Sequence, residues 1–261
     1  TVPQFSAYLS VIGADRRTTF SRIRIGMPHV DWVWRKQYRG TGHNRVKPWL
    51  RLSDLTPREI AELPATGVRM AAAHYGHQSV NRFVPIDRRL MTILGFYTAE
   101  GSCSRRAGLS FATGPSDHKM VSELRLAFQE LFGVGANLYK GTGRGEMLAV
   151  RNRVVVEFLR VCFGLFETRS GTKEIPSIVF NVDSELRKDF LRAYLLGDGT
   201  VQDNGIQWTT VSRKLAGQLA YLLQTVGAMA SLSERDPPAG PSVSGDRSIQ
   251  SKQRIYTVHV S

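Results

Sequence analysis

Two stretches of the chain share one pattern, apolar and small residues at helical spacing that end in an acid followed by glycine. They are ILGFYTAEG, from Ile93 to Gly101, and LRAYLLGDG, from Leu191 to Gly199. Each predicts a buried helix. Asp87, two residues after Pro85, suits the N-cap of a helix from Arg88, and Asp183 or Ser184 suits that of the second. Gly101 and Gly199 are expected to stop the helices in a left-handed conformation.

The segments downstream of the two stretches are also alike. LSFATGPSDHKMVSELRLAFQELFGVGANLYK comes after the first and IQWTTVSRKLAGQLAYLLQTVGAMASLSER after the second. Both predict a strand, a Ser-started helix, a glycine stop and another strand. Val121, Leu124, Phe128 and Leu131 fall near helical spacing in one, and Leu215, Leu219, Leu222 and Val226 in the other. Further strands are predicted near Met147–Val150 and Arg254–Val260. PPAGPSVSG, from Pro237 to Gly245, reads as a loop between strands. A helix over VVVEFLRVCFGL closes the first copy, whereas the second has no room for one before Ser261, the expectation for a piece cut from a longer parent.

The pattern therefore predicts two repeats, at about 85–176 and 177–261, within a domain spanning 85–261. Residues 1–84 read differently. LTPREIAELP predicts a short helix with Thr56 as cap, Pro57 at the first position and Glu59 closing a capping box. The remainder, aromatic- and Arg-rich, predicts short strands and loops.

Charge changes the picture more than composition does. The 42% hydrophobic and 22% charged residues are ordinary for a globule, but the net charge is +13. It is unevenly placed: 15 Lys/Arg stand against 6 Asp/Glu up to Leu90, and 20 against 16 beyond. Such an excess points to a polyanionic partner. No basic amphipathic helix with a clean apolar face accompanies it, which favours nucleic acid over a membrane surface. No apolar run has the length of a membrane span, and TVPQFSAYLSVIGADRR lacks the features of a signal peptide. Cys103 and Cys162 make no metal or disulfide framework, so a reducing compartment, cytoplasmic or of nucleoid or nuclear type, is expected.

The candidate chemistry sits at the ends of the two motif helices. Gly95 and Ala99 are four apart, as are Ala193 and Gly197, so each helix carries a small-residue stripe that allows close approach of backbones. If the stripes face each other, Glu100 and Asp198 become neighbours, two carboxylates at the negative ends of helix dipoles. A divalent cation relieves both repulsions. Oxygen ligands shared with water and phosphate suit Mg2+, or Mn2+, and phosphodiester hydrolysis. Competing features are weaker. Asp198-Gly-Thr-Val-Gln-Asp203 lacks the third and fifth ligands of a calcium loop. His74 and His77 lack partners at metal spacing.

Both motifs resemble the LAGLIDADG signature, with the acid in its eighth position and glycine in its ninth. The resemblance covers about 83–261 and is nearest to the intein-encoded branch of the homing endonucleases. TKEIPSIVF resembles that branch's K-x-I-P segment, which makes Lys173 an active-site residue by resemblance. IQSKQRIYTVHV resembles the strand pair that places a second active-site lysine, here Lys252. Departures are Glu100 where the signature has Asp, and Thr98 and Leu196 at the sixth position, both expected to be packing. The intein termini are absent, since the ends are Thr1 and Ser261, so no splicing is expected.

The resemblance implies an α+β fold of two pseudo-symmetric αββαββα-type halves whose antiparallel sheets form a saddle over double-stranded DNA. It implies a monomer cutting one phosphodiester on each strand of a long asymmetric target, and a parent host protein if the chain is excised from an intein. Arg105, Arg106, Lys140, Arg144, Arg151, Arg153, Arg247 and Arg254 are the expected DNA contacts, the first six thought to recur on strands of one repeat. The basic 1–84 region would add DNA contacts or be a splicing-domain remnant. Two alternatives are a non-cleaving maturase- or regulator-like binder and a decayed intein endonuclease.

Overall fold

A computed structural model of the chain describes residues 83–104, 108–141, 144–165, 169–237, 242–244, 247–249 and 253–261. In the N-terminal third it describes 23–26, 49–51, 56, 58, 69–72 and 80–81. That third contributes strands β1 (Ile23–Gly26), β2 (Trp49–Arg51), β3 (Arg69–Ala72) and β4 (Val80–Asn81). They form one antiparallel sheet in the order β2-β1-β3-β4. The helix expected over LTPREIAELP lies almost wholly outside the described residues, as do His74 and His77.

Helix α1 (Arg88–Glu100) begins where the side chain of Asp87 accepts the N–H groups of Arg89 and Leu90, at 2.9 and 3.4 Å. Those two donors have no partner within the helix, which is why the cap fixes its start. Every residue from Leu90 to Ala99 is buried, so α1 is enclosed on all sides. Strands β5 (Gly101–Ser104) and β6 (Gly108–Thr113) come next, then α2 (His118–Phe132), β7 (Asn137–Gly141), β8 (Arg144–Val150) and α3 (Arg153–Phe163). Helix α2 starts one residue after Asp117, without a side-chain cap, and stops at Gly133, whose φ of 67° is left-handed.

The second half repeats the order. Asp183 caps α4 (Ser184–Asp198) through the N–H of Leu186 at 2.9 Å. Then come β9 (Gly199–Gln202), β10 (Gly205–Thr210), α5 (Arg213–Thr225) and β11 (Ser231–Arg235), the hairpin of β12 (Ser242–Ser244) and β13 (Arg247–Ile249), and β14 (Ile255–Val260). The sheets are antiparallel, β5-β6-β8-β7 and β9-β10-β14-β11. They have the same topology, with β12–β13 inserted before the last strand of the second. The stretch expected to be a loop from Pro237 to Gly245 thus contains a strand, because Ser242–Ser244 finds its partner in Arg247–Ile249, a pairing that residue-by-residue alternation over three positions does not reveal.

The core lies between the sheets and the helices. In the first half it is a run of aromatic rings, Tyr97–Phe111–Phe128–Phe132–Phe158–Phe163, with neighbouring centroids 5.3–6.5 Å apart. Most of these contacts are edge-to-face, the arrangement that ring quadrupoles favour. Helix α3 belongs to this cluster through Phe158. Val201, equivalent to buried Cys103, and Met229 are the most exposed large apolar side chains among the described residues. Among the described residues no helix is long and apolar enough to cross a membrane.

Candidate active site

Helices α1 and α4 cross at their small residues. A Cβ on Gly95 would sit 2.5 Å from the Phe190 carbonyl oxygen and 2.7 Å from the Ala193 Cβ. A Cβ on Gly197 would sit 2.6 Å from the Ala99 Cβ. Glycine of one helix therefore meets alanine of the other at two levels, and the backbones approach too closely for any larger residue. Arg192 ties α4 to α2 by donating two hydrogen bonds to the Glu123 carboxylate, at 3.0 and 2.8 Å, and Arg88 lies 3.4 Å from Asp189.

The glycines that end these helices are not left-handed. Gly101 has φ −79° and ψ 147°, and Gly199 has φ −92° and ψ 150°. Both are the first residues of strands, so extended backbone is what the chain needs there. Glycine is required for space: a Cβ on Gly101 would strike Tyr97, and one on Gly199 would strike Leu195. Glu100 and Asp198 are thus each held between a helix and a strand, facing one another across the helix pair.

Both carboxylates are half-buried and both are harder to ionise than usual. Burial is the main cause for Glu100, with Asp117 adding to it and Lys173 opposing. Burial, then the charge of Glu100, pushes Asp198 up to about 6, against the pull of Lys173 and of the Tyr194 hydroxyl. Tyr194 donates to Asp198 Oδ2 at 3.5 Å. It is buried, with its ring stacked on Trp208 at 6.5 Å. Its own pKa is raised by burial and by the neighbouring carboxylates.

Lys173 completes the cluster. Its Nζ donates to the Ala99 carbonyl at the end of α1. Burial makes its ammonium easier to deprotonate, while Glu100 and Asp198 favour the charged form. Its backbone is anchored by α5: the Ser212 hydroxyl donates to the Lys173 carbonyl at 2.7 Å, and the Ile175 N–H donates to Gln218 Oε1 at 2.8 Å. The same Ser212 oxygen accepts the N–H of Leu215 at 3.2 Å and caps α5. Sequence reasoning missed Tyr194, Ser212, Gln218 and Asp117. Ser212 alone had a signal, as the serine before a helical run.

Of the expected DNA contacts, some lie on strands and others do not. Lys140 lies on β7, 3.6 Å from Glu146. Arg151 comes just after β8 with its guanidinium 4.8 Å above the Tyr139 ring, and Arg153 opens α3, so neither is on a strand. The Asn152 cap between them has already turned the chain into a helix, accepting the N–H groups of Val154 and Val155. Arg254 is engaged by Asp236 at 2.8 Å and Glu234 at 3.5 Å. Arg105, Arg106 and Lys252, and the side chains of Arg144 and Arg247, lie outside the described residues. Thr98 is buried, shares a cavity lining with Phe163, Gly164 and Leu165 at the end of α3, and donates to the Leu94 carbonyl at 2.9 Å, but Leu196, at the equivalent position of α4, is exposed, with no such cover among the described residues.

The donor set fits a hard divalent cation that keeps part of its water shell. Two partly desolvated carboxylates lose their mutual repulsion when a dication is shared between them. Among the described residues no third His, Cys, Asp or Glu joins them in a cage. Remaining ligands would come from water and phosphate, as magnesium prefers.

Residues 185–259 match the family model described as LAGLIDADG-like domain. Among curated proteins, the chain is 26% identical over 172 residues to an A-type ATP synthase subunit of Methanopyrus kandleri, covering 66% of this chain and 16% of that protein. It is 29% identical over 156 residues to a DNA polymerase of Thermococcus kodakarensis, covering 56% of this chain and 9% of the polymerase. The chain thus spans less than a fifth of the length of either relative. Among solved structures, I-DmoI in complex with DNA and Mn aligns at a TM-score of 0.45 with 10% identity, over 68% of this chain and 91% of that one. The family match runs from the first turn of α4 into β14.

Proposed function

We propose that the chain is a divalent-metal-dependent, site-specific DNA endonuclease of the homing type, of intein origin. The observation that carries this reading is the meeting of Glu100, Asp198 and Lys173 at the ends of two symmetry-related helices, each running directly into the first strand of its own sheet. Intein origin is supported by the relatives. An ATP synthase subunit and a DNA polymerase share no activity, and the matched segment is a small share of each, as expected of an inserted element.

In this reading Glu100 and Asp198 hold Mg2+ or Mn2+ and fix the positions of two scissile phosphates, one per strand. A bound ion would supply Lewis acidity to the phosphate and the attacking water. The water oxygen bonds to phosphorus while the opposite P–O bond breaks. The Lys173 ammonium, held against the Ala99 carbonyl, stabilises the charge that grows on the phosphate oxygens. Burial makes that ammonium easier to deprotonate, while Glu100 and Asp198 hold it in the charged form that this role requires. Lys252 would serve the other strand. The excess of positive charge holds the duplex. Unlike halves in one chain suit a monomer and an asymmetric target.

The test is cleavage of a supercoiled plasmid library carrying randomised inserts, with Mg2+ present. Linear products sharing one long asymmetric sequence are expected. A protein that binds the library yet leaves it supercoiled would overturn the nuclease reading in favour of a nucleic-acid binder.

A further inference from the structure

The two sheets present different chemistry on the faces turned away from the core. In the first, Leu109, Phe111, Leu148 and Val150 are buried against the helices, and the alternate residues lie on the other face, where Ala112 and Met147 are exposed and Ser110 and Ala149 are buried. Ala112 pairs with Met147, and Met147 with Tyr139. All three are exposed, Met147 by 38% and Tyr139 by 37%. They make an unbroken apolar row across β6, β8 and β7, with Arg151 over the Tyr139 ring. In the second sheet the equivalent row is Thr209–Thr257–Ser233, and beside it lies Thr200–Gln207–His259–Ser231. One row is apolar where its counterpart is hydroxylated throughout.

The register places these rows beside the acids. Gly101 pairs with Phe111, so Ala112 stands level with Glu100. Gly199 pairs with Trp208, so Thr209 stands level with Asp198. Two symmetry-related halves that differ here cannot recognise identical half-sites.

Resting on the nuclease reading above, we infer that the Ala112–Met147–Tyr139 row is a specificity surface for thymine, read through its C5-methyl group in the major groove on the Glu100 side of the target. Among the bases of DNA only thymine offers an apolar group there, and apolar side chains are its fitting partners. Ala112 and Met147 have no donor or acceptor and leave the hydrogen-bonding edges of other bases unsatisfied, whereas the Tyr139 phenol and the Arg151 guanidinium over its ring lie at the β7 end of the row, away from Glu100. The Thr209–Thr257–Ser233 row adds a hydroxyl at every position, which bonds to base edges, so the Asp198 side draws a smaller share of its affinity from methyl contacts than a row of Ala and Met does.

The experiment uses the 261-residue protein and a duplex recovered from the plasmid selection. Thymines are replaced by deoxyuridine, which removes only the methyl group, in one half of the target or in the other. Replacement in one half is expected to weaken binding about fourfold per contacted methyl, from the free energy of burying one such group. Replacement in the other half is expected to change affinity less than twofold. Met147→Ala, and independently Ala112→Ser, should remove the sensitivity to deoxyuridine in the sensitive half. Equal binding of all duplexes by the unaltered protein, or unchanged methyl dependence in both variants, would overturn the inference while leaving the nuclease reading intact. Recovery of no duplex at all would overturn both.

Discussion

Replacing Asp198 by asparagine should stabilise the metal-free protein while abolishing its chemistry. Burial and the charge of Glu100 raise the Asp198 carboxyl from 3.8 to about 6. Below pH 3.8 the group is protonated in folded and unfolded chains alike and costs nothing. As pH rises from 3.8 to about 6 the unfolded chain loses its proton first, and above that range the folded protein carries the full penalty. A shift of about two pH units corresponds to about 3 kcal/mol as a ceiling. Asp198 is only half-buried, and solvent screening reduces this to about 1–2 kcal/mol. Asparagine keeps an oxygen for the Tyr194 hydroxyl and has no charge to desolvate. For a chain of this size that gain raises the melting temperature by roughly 3–6 °C. The assay is thermal unfolding of both proteins in chelator from about pH 4 to pH 8. The gap between them should open between about pH 4 and pH 6 and then stay level. Magnesium should raise the unaltered protein's melting temperature and leave the variant's nearly unchanged. A variant no more stable at neutral pH, or a gap independent of pH, would refute the reasoning.

The same geometry sets three further outcomes. Gly95→Ala gains about 1 kcal/mol of helix propensity but must part the Phe190 carbonyl and the Ala193 Cβ. The net loss should be about 1–3 kcal/mol by denaturant unfolding. Ser212→Ala removes the α5 cap and the bond that anchors Lys173. It should cost about 1–2 kcal/mol of stability and slow cleavage further than that loss explains, a split read by assaying well below the melting temperature. Lys173→Met should slow strand cleavage at least about tenfold with little change in DNA affinity, because its charge matters most in the transition state; equal losses in binding and rate would contradict that role.

The features legible in the sequence were those written in local chemistry. Asp87 and Asp183 cap the helices where an acid precedes an apolar run, and Gly95, Ala99, Ala193 and Gly197 form a stripe whatever lies opposite. Lys173 was legible only through the K-x-I-P resemblance, since nothing local tells that its ammonium crosses to the end of α1. Features fixed by partners distant in sequence were not legible. Gly101 and Gly199 look like left-handed stops, but the strands β5 and β9 start at them and demand extended backbone. Tyr194 reads as one more aromatic core residue, like Phe96 at the same motif position, and only the fold shows its hydroxyl reaching Asp198. Leu196 reads as packing because its motif is apolar, yet it is exposed where Thr98, its counterpart in α1, is buried beside the end of α3. The β12–β13 hairpin is too short for alternation to register.

The central claim is that Glu100 and Asp198 together cut both strands of a duplex, and strand cleavage by single-acid variants tests it most directly. A supercoiled plasmid carrying the selected target, with Mg2+, is to be incubated with the unaltered protein, Glu100→Gln and Asp198→Asn. Linear DNA should form with the unaltered protein alone, while both variants bind the target with nearly unchanged affinity, since phosphate contacts elsewhere dominate binding. Full double-strand cutting by Asp198→Asn would contradict the account.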